Sequence, residues 1–423
     1  MNNSSSALTY LPPPACIGIL GAGQLGRMLI NAAQRMGYQT VVLDPDGQAP
    51  AAQVSQYALQ YAYDDPVGIE RLSGLVSRVT TEFENVPAQT LEQLSERVLV
   101  RPSAYAVSVA QDRIVEKNMV RSCQLQTAPF HVIRNPEDAS NTPPELFPGI
   151  LKTARLGYDG KGQVQVHDLQ ELQKAYQEMN SAFKGKDAQE ALSCILEKKL
   201  PLLAEYSVIV ARNELNHMVN LPIQCNQHIN GILHLSTVFH HTLSSALSEE
   251  LIEAAQTIAQ KLSYVGVLCV EFFLIQDSHA DDAALSWVVN EIAPRPHNSG
   301  HHSLDSCDIS QFDLQLRTLC GLPLLKPRQH SPCVMLNLLG DLWFKPGVDQ
   351  PIEPPWQALL ALPGTHLHLY GKTEPRRARK MGHLNITGEH VEDTLKTLTQ
   401  CLELLKLPPL EKSFLDKHLQ HDH

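Results

Sequence analysis

The stretch Asn290-Glu291-Ile292-Ala293-Pro294-Arg295-Pro296-His297-Asn298-Ser299-Gly300-His301 packs a carboxylate, a guanidinium, two imidazoles, two amides and a hydroxyl into twelve residues. It follows the apolar run at 286–289, which is a predicted strand. Two prolines and a glycine restrict how the polar side chains are presented. A strand that ends in such a cluster is more typical of a reaction centre than of an ordinary turn.

The composition sets bounds on the class of protein. A chain of 423 residues has room for roughly three domains, and 43% hydrophobic residues are enough to fill their cores. The formal net charge of −11 argues against nucleic acid as the main partner, because phosphate binding needs a basic surface. No apolar run approaches the roughly 18 residues of a membrane span. The nine cysteines include no CxxC pair, which favours reduced thiols and a cytoplasmic location over disulfides or zinc.

The first hundred or so residues alternate between predicted strands and helices. This alternation predicts a parallel-sheet domain. The predicted strands are 16–20, 39–44, 79–83 and 98–100. A single helix is predicted over 104–120.

The middle of the chain has a different pattern, with short predicted strands and few helices between them. This pattern indicates an antiparallel α+β region. The predicted strands are 150–153, 162–166, 193–196, 205–211, 217–224, 232–239 and 265–275. A final helix is predicted at about 391–405.

The glycine-rich turn at 21–26, GAGQLG, stands between a predicted strand and a predicted helix. It matches the dinucleotide fingerprint, and Asp44 at the end of the next strand is placed where a ribose-binding acid would lie. This pattern supports an NAD-dependent oxidoreductase as one hypothesis. The alternative is that the same turn builds an ordinary strand–helix unit or binds another phosphate.

Lys152 precedes a loop with three glycines, Gly157-Tyr158-Asp159-Gly160-Lys161-Gly162-Gln163. Such a loop can close over a triphosphate through its backbone N–H groups while lysine neutralises charge. The alternative is a flexible hairpin.

Glu271 and Glu291 lie on successive predicted strands. A carboxylate in an apolar strand is costly unless it is paired or metal-bound, and two such oxygen donors suit Mg²⁺. The alternative for either acid is a salt bridge to Arg295. His297, His301 and His302 suggest zinc, but Pro296 and Gly300 disfavour the helix that would make the imidazoles converge.

The segment 371–380 has five cations in ten residues. It is either a solvated or nucleic-acid-binding patch, or a clamp for a substrate phosphate.

Four of these segments, in this order, resemble the ATP-grasp superfamily and, within it, the N5-carboxyaminoimidazole ribonucleotide synthases of purine biosynthesis. The segments are GILGAGQLGRM, GYDGKGQ, NEIAPRPHNSGH and YGKTEPRRARKMGH. The resemblance implies a ligase that carboxylates 5-aminoimidazole ribonucleotide with bicarbonate and ATP through carboxyphosphate. The implied products are N5-carboxyaminoimidazole ribonucleotide, ADP and phosphate. It also implies Mg²⁺ or Mn²⁺ and a cytoplasmic homodimer.

The implied fold is α/β and α+β, with three domains of the ATP-grasp type. We expect a disordered leader at 1–14, a Rossmann-like pre-ATP-grasp domain at 15–120, an ATP-grasp domain at 121–330 with a lid at about 125–200, and a small C-terminal domain at 331–423. The leader and the polar stretches at about 184–190 and 277–284 lie outside the shared pattern.

The resemblance also assigns site residues. The ATP-binding positions are Arg113, Lys152, Gly157, Tyr158, Asp159, Gly160, Lys161, Gly162, Gln163, Glu197, Lys198, Lys199, Leu200, Glu205, His228, Asn290 and Glu291. The carboxylation positions are Tyr158, Asp159, Lys161, Arg295, His297 and Asn298, and the ribonucleotide positions are Glu84, Lys372 and Arg379. The metal positions are Glu271 and Glu291. His301 and His302 receive no role.

Three further hypotheses remain open at this point. The chain could be a different ATP-grasp ligase, such as a formate-using glycinamide ribonucleotide enzyme or a biotin carboxylase. It could be the NAD-dependent oxidoreductase described above. It could also be an inactive scaffold that keeps the fold.

Overall fold

The computed structural model describes residues 10–157, 162–184, 192–239, 243–276, 285–344, 347, 350–412 and 414–415. The predicted loop residues Tyr158, Asp159, Gly160 and Lys161 lie outside this part of the chain, as do the polar stretch at 277–284, nearly all of the stretch at 184–190 and the first nine residues.

A parallel sheet with strand order β3-β2-β1-β4-β5 forms the N-terminal part of the protein. Its elements are β1 Cys16–Leu20, α1 Gln24–Arg35, β2 Gln39–Leu43, β3 Tyr57–Leu59, α2 Pro66–Leu75, β4 Arg78–Thr81, α3 Ala88–Ser95 and β5 Leu99–Val100. The side chains of β1, β2 and β4 are almost all buried because helices cover both faces of the sheet. The predicted parallel sheet is confirmed.

Two helices follow where a single helix was predicted: α4 Ala104–Ala110 and α5 Arg113–Ser122. The prediction of one continuous helix is therefore wrong. Gln111 ends the first helix, and Asp112 caps the second, since its carboxylate accepts hydrogen bonds from Ile114 N (3.0 Å) and Val115 N (3.3 Å). The break turns α5 so that Arg113 and Lys117, four residues apart on one face, point toward the middle of the protein.

A small antiparallel sheet, β6-β9-β7-β8, comes next. Its elements are β6 Phe130–Ile133, α6 Pro136–Ser140, β7 Gly149–Thr153, β8 Gln163–Val166, α7 Leu169–Lys184 and β9 Cys194–Lys198. The expectation of few helices here is wrong for α7. Leu172, Tyr176, Met179 and Phe183 recur at helical spacing and pack into the core of this unit.

A nine-stranded sheet forms the largest layer, with the order β15-β14-β10-β12-β13-β16-β18-β17 and β11 paired to β10. Its strands are β10 Leu202–Arg212, β11 Met218–Asn220, β12 Gln224–Ile229, β13 Ile232–Val238, β14 Gly266–Gln276, β15 Leu285–Ala293, β16 Cys333–Leu339, β17 Thr365–Leu369 and β18 Lys380–Thr387. The associated helices are α8 Ser245–Lys261, α9 Ser303–Ser306, α10 Gln311–Cys320, α11 Trp356–Leu360 and α12 Val391–Leu405. Short 3-10 turns cover Pro144–Leu146, Asn298–His302 and Gly340–Trp343. All strand pairs are antiparallel, so the predicted α+β region is confirmed.

Helix α10 packs between the N-terminal parallel sheet, through α1 and β4, and the nine-stranded sheet, through β10 and β14. Phe312, Leu316 and Leu319 on this helix are buried with the apolar side of α1. Leu11 also lies against α10, where its N–H donates to Cys320 O at 3.0 Å. No helix in the described part of the chain combines the length and apolar character needed to span a bilayer.

Candidate active site

A cleft of about 1020 Å³ is lined by residues from all three sheets. The predicted site residues that line it are Glu84, Arg113, Lys152, Gly157, Gln163, Glu197, Lys198, Lys199, Leu200, Glu205, His228, Glu271, Asn290, Glu291, Arg295, His297, Asn298, Lys372 and Arg379. Gly162 lies beside the cleft, where its carbonyl accepts a hydrogen bond from Thr153 N at 2.9 Å. The predicted positions named here thus meet at one place, although they span most of the chain.

The glycine-rich turn between β1 and α1 is occupied by a carboxylate of the protein itself. Glu82 accepts hydrogen bonds from Gly23 N (2.7 Å) and Gly26 N (3.2 Å). A Cβ at Gly23 would lie only 2.8 Å from the Glu82 carboxylate, which explains the glycine there. Asp44 accepts a hydrogen bond from Ala22 N at 2.8 Å. The amides that would hold a dinucleotide phosphate are therefore already paired, and this geometry weighs against the oxidoreductase hypothesis.

Glu271 and Glu291 are direct cross-strand partners on β14 and β15. Burial, followed by the charge of Glu291, raises the pKa of Glu271 to about 7. Burial also acts to raise the pKa of Glu291, but the charge and hydrogen bond of Arg113 outweigh it and lower that pKa. Neither acid pairs with Arg295 among the described residues, so the salt-bridge alternative is wrong.

Lysines and acids form a buried network at the neighbouring end of the cleft. Glu197 on β9 lies 3.0 Å from Lys152 Nζ and 3.3 Å from Lys117 Nζ. Burial alone would raise the pKa of Glu197, but the charges of Lys152 and Lys117 lower it to about 2. Lys117 Nζ also donates to Asn290 O at 3.3 Å, which joins α5 to β15.

The segment after β9 forms a polar edge beside an apolar wall. Lys198 N donates to Pro129 O and Lys199 N to Pro148 O, both at 2.9 Å, so this backbone is held in place. The apolar wall consists of Ala128, Ile150, Leu202, Phe273 and Ile292.

Glu205 and His228 form an ion pair in the same region, with Oε2 and Nδ1 2.5 Å apart. Burial lowers the pKa of His228, but its hydrogen bond and attraction to Glu205 outweigh burial and raise it. An apolar wall, a backbone edge and an acid nearby suit a nucleoside.

The turn after β15 carries the dense polar cluster. Arg295 Nε forms a short ion pair with Glu84, which follows β4 of the N-terminal sheet. Burial raises the pKa of Glu84, but Arg295 outweighs burial and lowers it, so Glu84 is a carboxylate. Arg295 is thereby held between the first and the middle parts of the chain.

His297 and Asn298 follow in this turn, where His297 is half-buried and Asn298 is buried. His297 Nδ1 lies 2.9 Å from Ser299 Oγ, and its Nε2 lies 3.4 Å from Glu271 Oε1. Burial, then the charges of Arg295 and Lys380, hold the pKa of His297 well below its usual range. Both polar atoms of the Asn298 carboxamide are buried without a hydrogen-bond partner among the described residues. This turn therefore presents a cation, a neutral imidazole and an unpaired amide to the cleft.

The C-terminal cations reach the cleft from the opposite side. Lys372 Nζ donates to Gln24 Oε1 at 3.0 Å and to Lys380 O at 2.6 Å. Arg379 donates to Glu374 O at 2.8 Å. The cationic segment thus faces the glycine-rich turn of the N-terminal sheet.

The three histidines that suggested zinc have separate partners. His301 Nδ1 lies 3.0 Å from Gln311, and His302 Nδ1 lies 2.8 Å from Ser306 Oγ. His297 faces Ser299 and Glu271. The described imidazoles are thus arranged for hydrogen bonding.

Four polar residues of this region were not identified from the sequence: Glu82, Lys117, Gln311 and Glu116, which lines the cleft and accepts a hydrogen bond from Ile292 N. Lys117 stands four residues after Arg113 and shares its helix face, which is a signal that could have found it. Glu82 stands two residues before Glu84. Gln311 gives no local signal, because its partners are far away in sequence.

The comparisons with known proteins agree with this geometry. Residues 118–312 match the ATP-grasp domain, residues 15–111 the ribonucleotide synthetase preATP-grasp domain, and residues 333–397 the phosphoribosylaminoimidazole carboxylase C-terminal domain. The chain is 41% identical over 383 residues to the N5-carboxyaminoimidazole ribonucleotide synthase of Brucella melitensis. The aligned region covers 89% of this chain and 97% of that protein.

Two solved structures show the same likeness. An ADP complex of an N5-carboxyaminoimidazole ribonucleotide synthetase superposes with a TM-score of 0.83 at 36% identity, over 94% of this chain and 98% of that one. The synthase of Aspergillus clavatus, in complex with ADP and 5-aminoimidazole ribonucleotide, superposes with a TM-score of 0.78 at 25% identity, over 93% and 98%. The predicted fold class and the predicted type of ligase are confirmed. The chain belongs to the N5-carboxyaminoimidazole ribonucleotide synthase family.

Proposed function

We propose that the cleft couples ATP cleavage to carboxylation of the amine of 5-aminoimidazole ribonucleotide, in two steps through carboxyphosphate. The protein is an ATP-dependent carbon–nitrogen ligase of purine biosynthesis. One observation carries the proposal. Strand β15 places Asn290 and Glu291 at the acidic end and runs directly into Arg295, His297 and Asn298, so phosphate transfer and carboxylation share one strand end.

In the first step, a bicarbonate oxygen attacks the γ-phosphorus of ATP and the bond to the ADP oxygen breaks. Lys152 and Arg113 supply positive charge for the phosphates. The adenine base lies against the apolar wall and meets the backbone at Lys199 and Leu200, while Glu205 holds the ribose. Gly157 and Gln163 line the cleft and lie over the phosphates. The roles of Tyr158, Asp159, Gly160 and Lys161 in this loop remain predictions from the sequence.

The acid pair suits a divalent metal ion. Glu271 and Glu291 supply carboxylate oxygens, and the Asn290 Oδ1 atom is buried without a partner among the described residues. The raised pKa of Glu271 shows that local cations do not fully compensate its charge. Oxygen donors of this kind fit Mg²⁺ or Mn²⁺, which would neutralise charge on the ATP phosphates when bound.

In the second step, the ribonucleotide amine attacks the carbon of carboxyphosphate, or of CO₂ derived from it. A carbon–nitrogen bond forms, phosphate leaves with its bridging oxygen, and the amine loses a proton. Arg295 and Asn298 hold the carboxyl oxygens. Burial and the charge of Arg295 keep His297 neutral and make it a weak base, so the departing phosphate takes the amine proton while the imidazole can accept a hydrogen bond from the substrate.

Lys372 and Arg379 bind the phosphate of the ribonucleotide. Glu84 orients Arg295 toward the amine of the ribonucleotide. Lys372 contacts the N-terminal sheet through Gln24, so phosphate binding joins the two ends of the chain. Cations gathered in this one segment explain how an acidic protein binds an anionic substrate.

Three further features belong to the proposal. We propose a cytoplasmic protein, which the nine free cysteines support. We propose a homodimer, which light scattering on the purified protein would test. We also propose the domain limits 15–120, 121–330 and 331–423, although the nine-stranded sheet runs across the last boundary through the pairing of β13 with β16.

The proposal is tested by phosphate release from ATP and Mg²⁺. Release should require bicarbonate and 5-aminoimidazole ribonucleotide together, and N5-carboxyaminoimidazole ribonucleotide should form in equal amount. The control for the other ATP-grasp ligases replaces the aminoimidazole substrate, either with glycinamide ribonucleotide plus formate or with biotin. Release that follows either of these substrates, and not the aminoimidazole, would overturn the proposal.

A further inference from the structure

Gln311, the first residue of α10, is completely buried directly behind the turn that carries His297. Its position is fixed by the helix start, since Ser310 and Asp313 form a reciprocal capping box. Gln311 N also donates to Ser303 Oγ at 3.1 Å. Its side chain does not line the cleft, so any effect on the reaction acts through the residues that it holds.

The Gln311 carboxamide makes three hydrogen bonds to the turn. Oε1 accepts from His297 N at 2.8 Å, and Nε2 donates to His297 O at 2.8 Å. Nε2 also lies 3.0 Å from His301 Nδ1. Because His297 N–H is a backbone donor, it fixes which amide atom is the oxygen. The remaining atom is the NH₂ group, so His301 Nδ1 must accept, and His301 carries its proton on Nε2.

Gly300 allows this arrangement. A Cβ at Gly300 would lie 2.6 Å from Gln311 Oε1 and 2.4 Å from Ile209 Cδ1, so no larger residue fits between the turn and the helix. His301 is itself held from the other side, where its carbonyl accepts a hydrogen bond from Asn385 Nδ2 at 2.9 Å. The turn is therefore fixed between α10 and β18.

We infer that Gln311 is a positioning residue of the carboxylation centre. It holds the His297 peptide in place between Arg295 and Asn298, and it sets the tautomer of His301, which lines the cleft. A reacting group displaced by about 1 Å costs on the order of 100-fold in rate, so a clamp on this peptide matters for the chemistry. The inference rests on the proposed carboxylation role of Arg295, His297 and Asn298.

Gln311→Met tests the clamp, and Gln315→Met is its matched control. Gln315 lies one turn further along α10 and is equally buried, and its carboxamide makes two hydrogen bonds, from Val267 N (2.7 Å) and to Thr80 Oγ1 (2.8 Å). Both changes leave buried groups unpaired, so both should lower the unfolding midpoint. Only Gln311→Met should lower kcat/KM for the ribonucleotide, by about 100-fold, with little change in KM for ATP.

Equal kinetic losses in the two variants, or an unchanged kcat/KM in Gln311→Met, would overturn the inference. A wild-type enzyme that does not use the ribonucleotide would instead overturn the proposed function, so the two failures are distinguishable.

A second measurement needs only folded wild-type protein. Long-range ¹H–¹⁵N spectra of protein labelled with ¹⁵N-histidine report which ring nitrogen carries the proton, and His301→Phe assigns the signal. We expect the proton on Nε2 of His301. A proton on Nδ1 would exclude the Gln311 hydrogen bond and overturn the inference.

Discussion

Glu271 and Glu291 face each other across β14 and β15, yet their pKa values move in opposite directions. Burial raises both, but Arg113 is paired to Glu291 at 3.0 Å and outweighs burial there, so only the pKa of Glu271 rises, to about 7. The charge of Glu291 is thus compensated by Arg113 within the protein, whereas the charge of Glu271 would be stabilised by an added cation.

We predict that binding of Mg²⁺ and ADP releases protons at pH 7. With a pKa of about 7, Glu271 is close to half protonated in the free protein, and a cation would favour its charged form. An unfolded glutamate has a pKa of about 4.3, which is lower than the pKa of about 7 that Glu271 has in the fold. Protonated Glu271 therefore stabilises the fold at low pH, and this contribution is lost as the pH rises through about 7. Calorimetry in buffers of different ionisation enthalpy should show roughly half a proton released. The Glu271→Gln variant should release much less, and equal release would argue against this carboxylate.

Glu291→Gln should fold normally and lose ATP turnover by about 100-fold or more. The amide oxygen can still accept the hydrogen bond of Arg113, but the negative charge for the metal ion is gone. Glu214→Gln is the control, because Glu214 also pairs with an arginine, Arg101 at 2.6 Å, away from the cleft. ATP turnover near the wild-type rate in Glu291→Gln would contradict the proposed role of Glu291 as a metal ligand.

Lys117→Met should destabilise the fold by about 3 kcal/mol. Lys117 is buried beside Glu197, and its loss leaves that carboxylate with Lys152 as its remaining close lysine. Urea unfolding measures the loss, and adding Glu197→Gln should restore part of it, because the buried charge is then removed. Additive losses in the double variant would show that the two side chains are not coupled.

Lys372→Ala should raise KM for the ribonucleotide by about 10-fold or more and leave KM for ATP nearly unchanged. Lys372 lies at the end of the cleft formed with Gln24, away from the nucleoside wall. Lys396→Ala removes an exposed lysine of α12 and should change neither constant. A rise in KM for ATP alone would show that Lys372 contacts ATP and would contradict its assignment to the ribonucleotide.

The site residues that are adjacent in the chain could be predicted from the sequence. Asn290 to Asn298 could be predicted because a strand, two prolines and the polar residues are adjacent in the chain. The partner acid Glu271 could be predicted because a charge in an apolar strand is costly without a function.

The rest of the site depends on contacts between distant segments. Glu82 fills a turn that reads as a dinucleotide site, and only the fold shows that its carboxylate has taken the amides. Gln311 and Lys117 become informative only through partners that are distant in sequence, His297 and Glu197. Likewise, Asp112 is an ordinary helix residue by composition until its side chain is seen to cap α5.

The most direct test of the central claim follows the oxygen of bicarbonate. If bicarbonate attacks the γ-phosphate in this cleft, turnover of ¹⁸O-labelled bicarbonate with ATP and 5-aminoimidazole ribonucleotide must place one labelled oxygen in the released phosphate. Mass spectrometry of that phosphate should show one ¹⁸O for each N5-carboxyaminoimidazole ribonucleotide formed. Carboxylated product accompanied by unlabelled phosphate would contradict the carboxyphosphate route and the joint use of β15 by both steps.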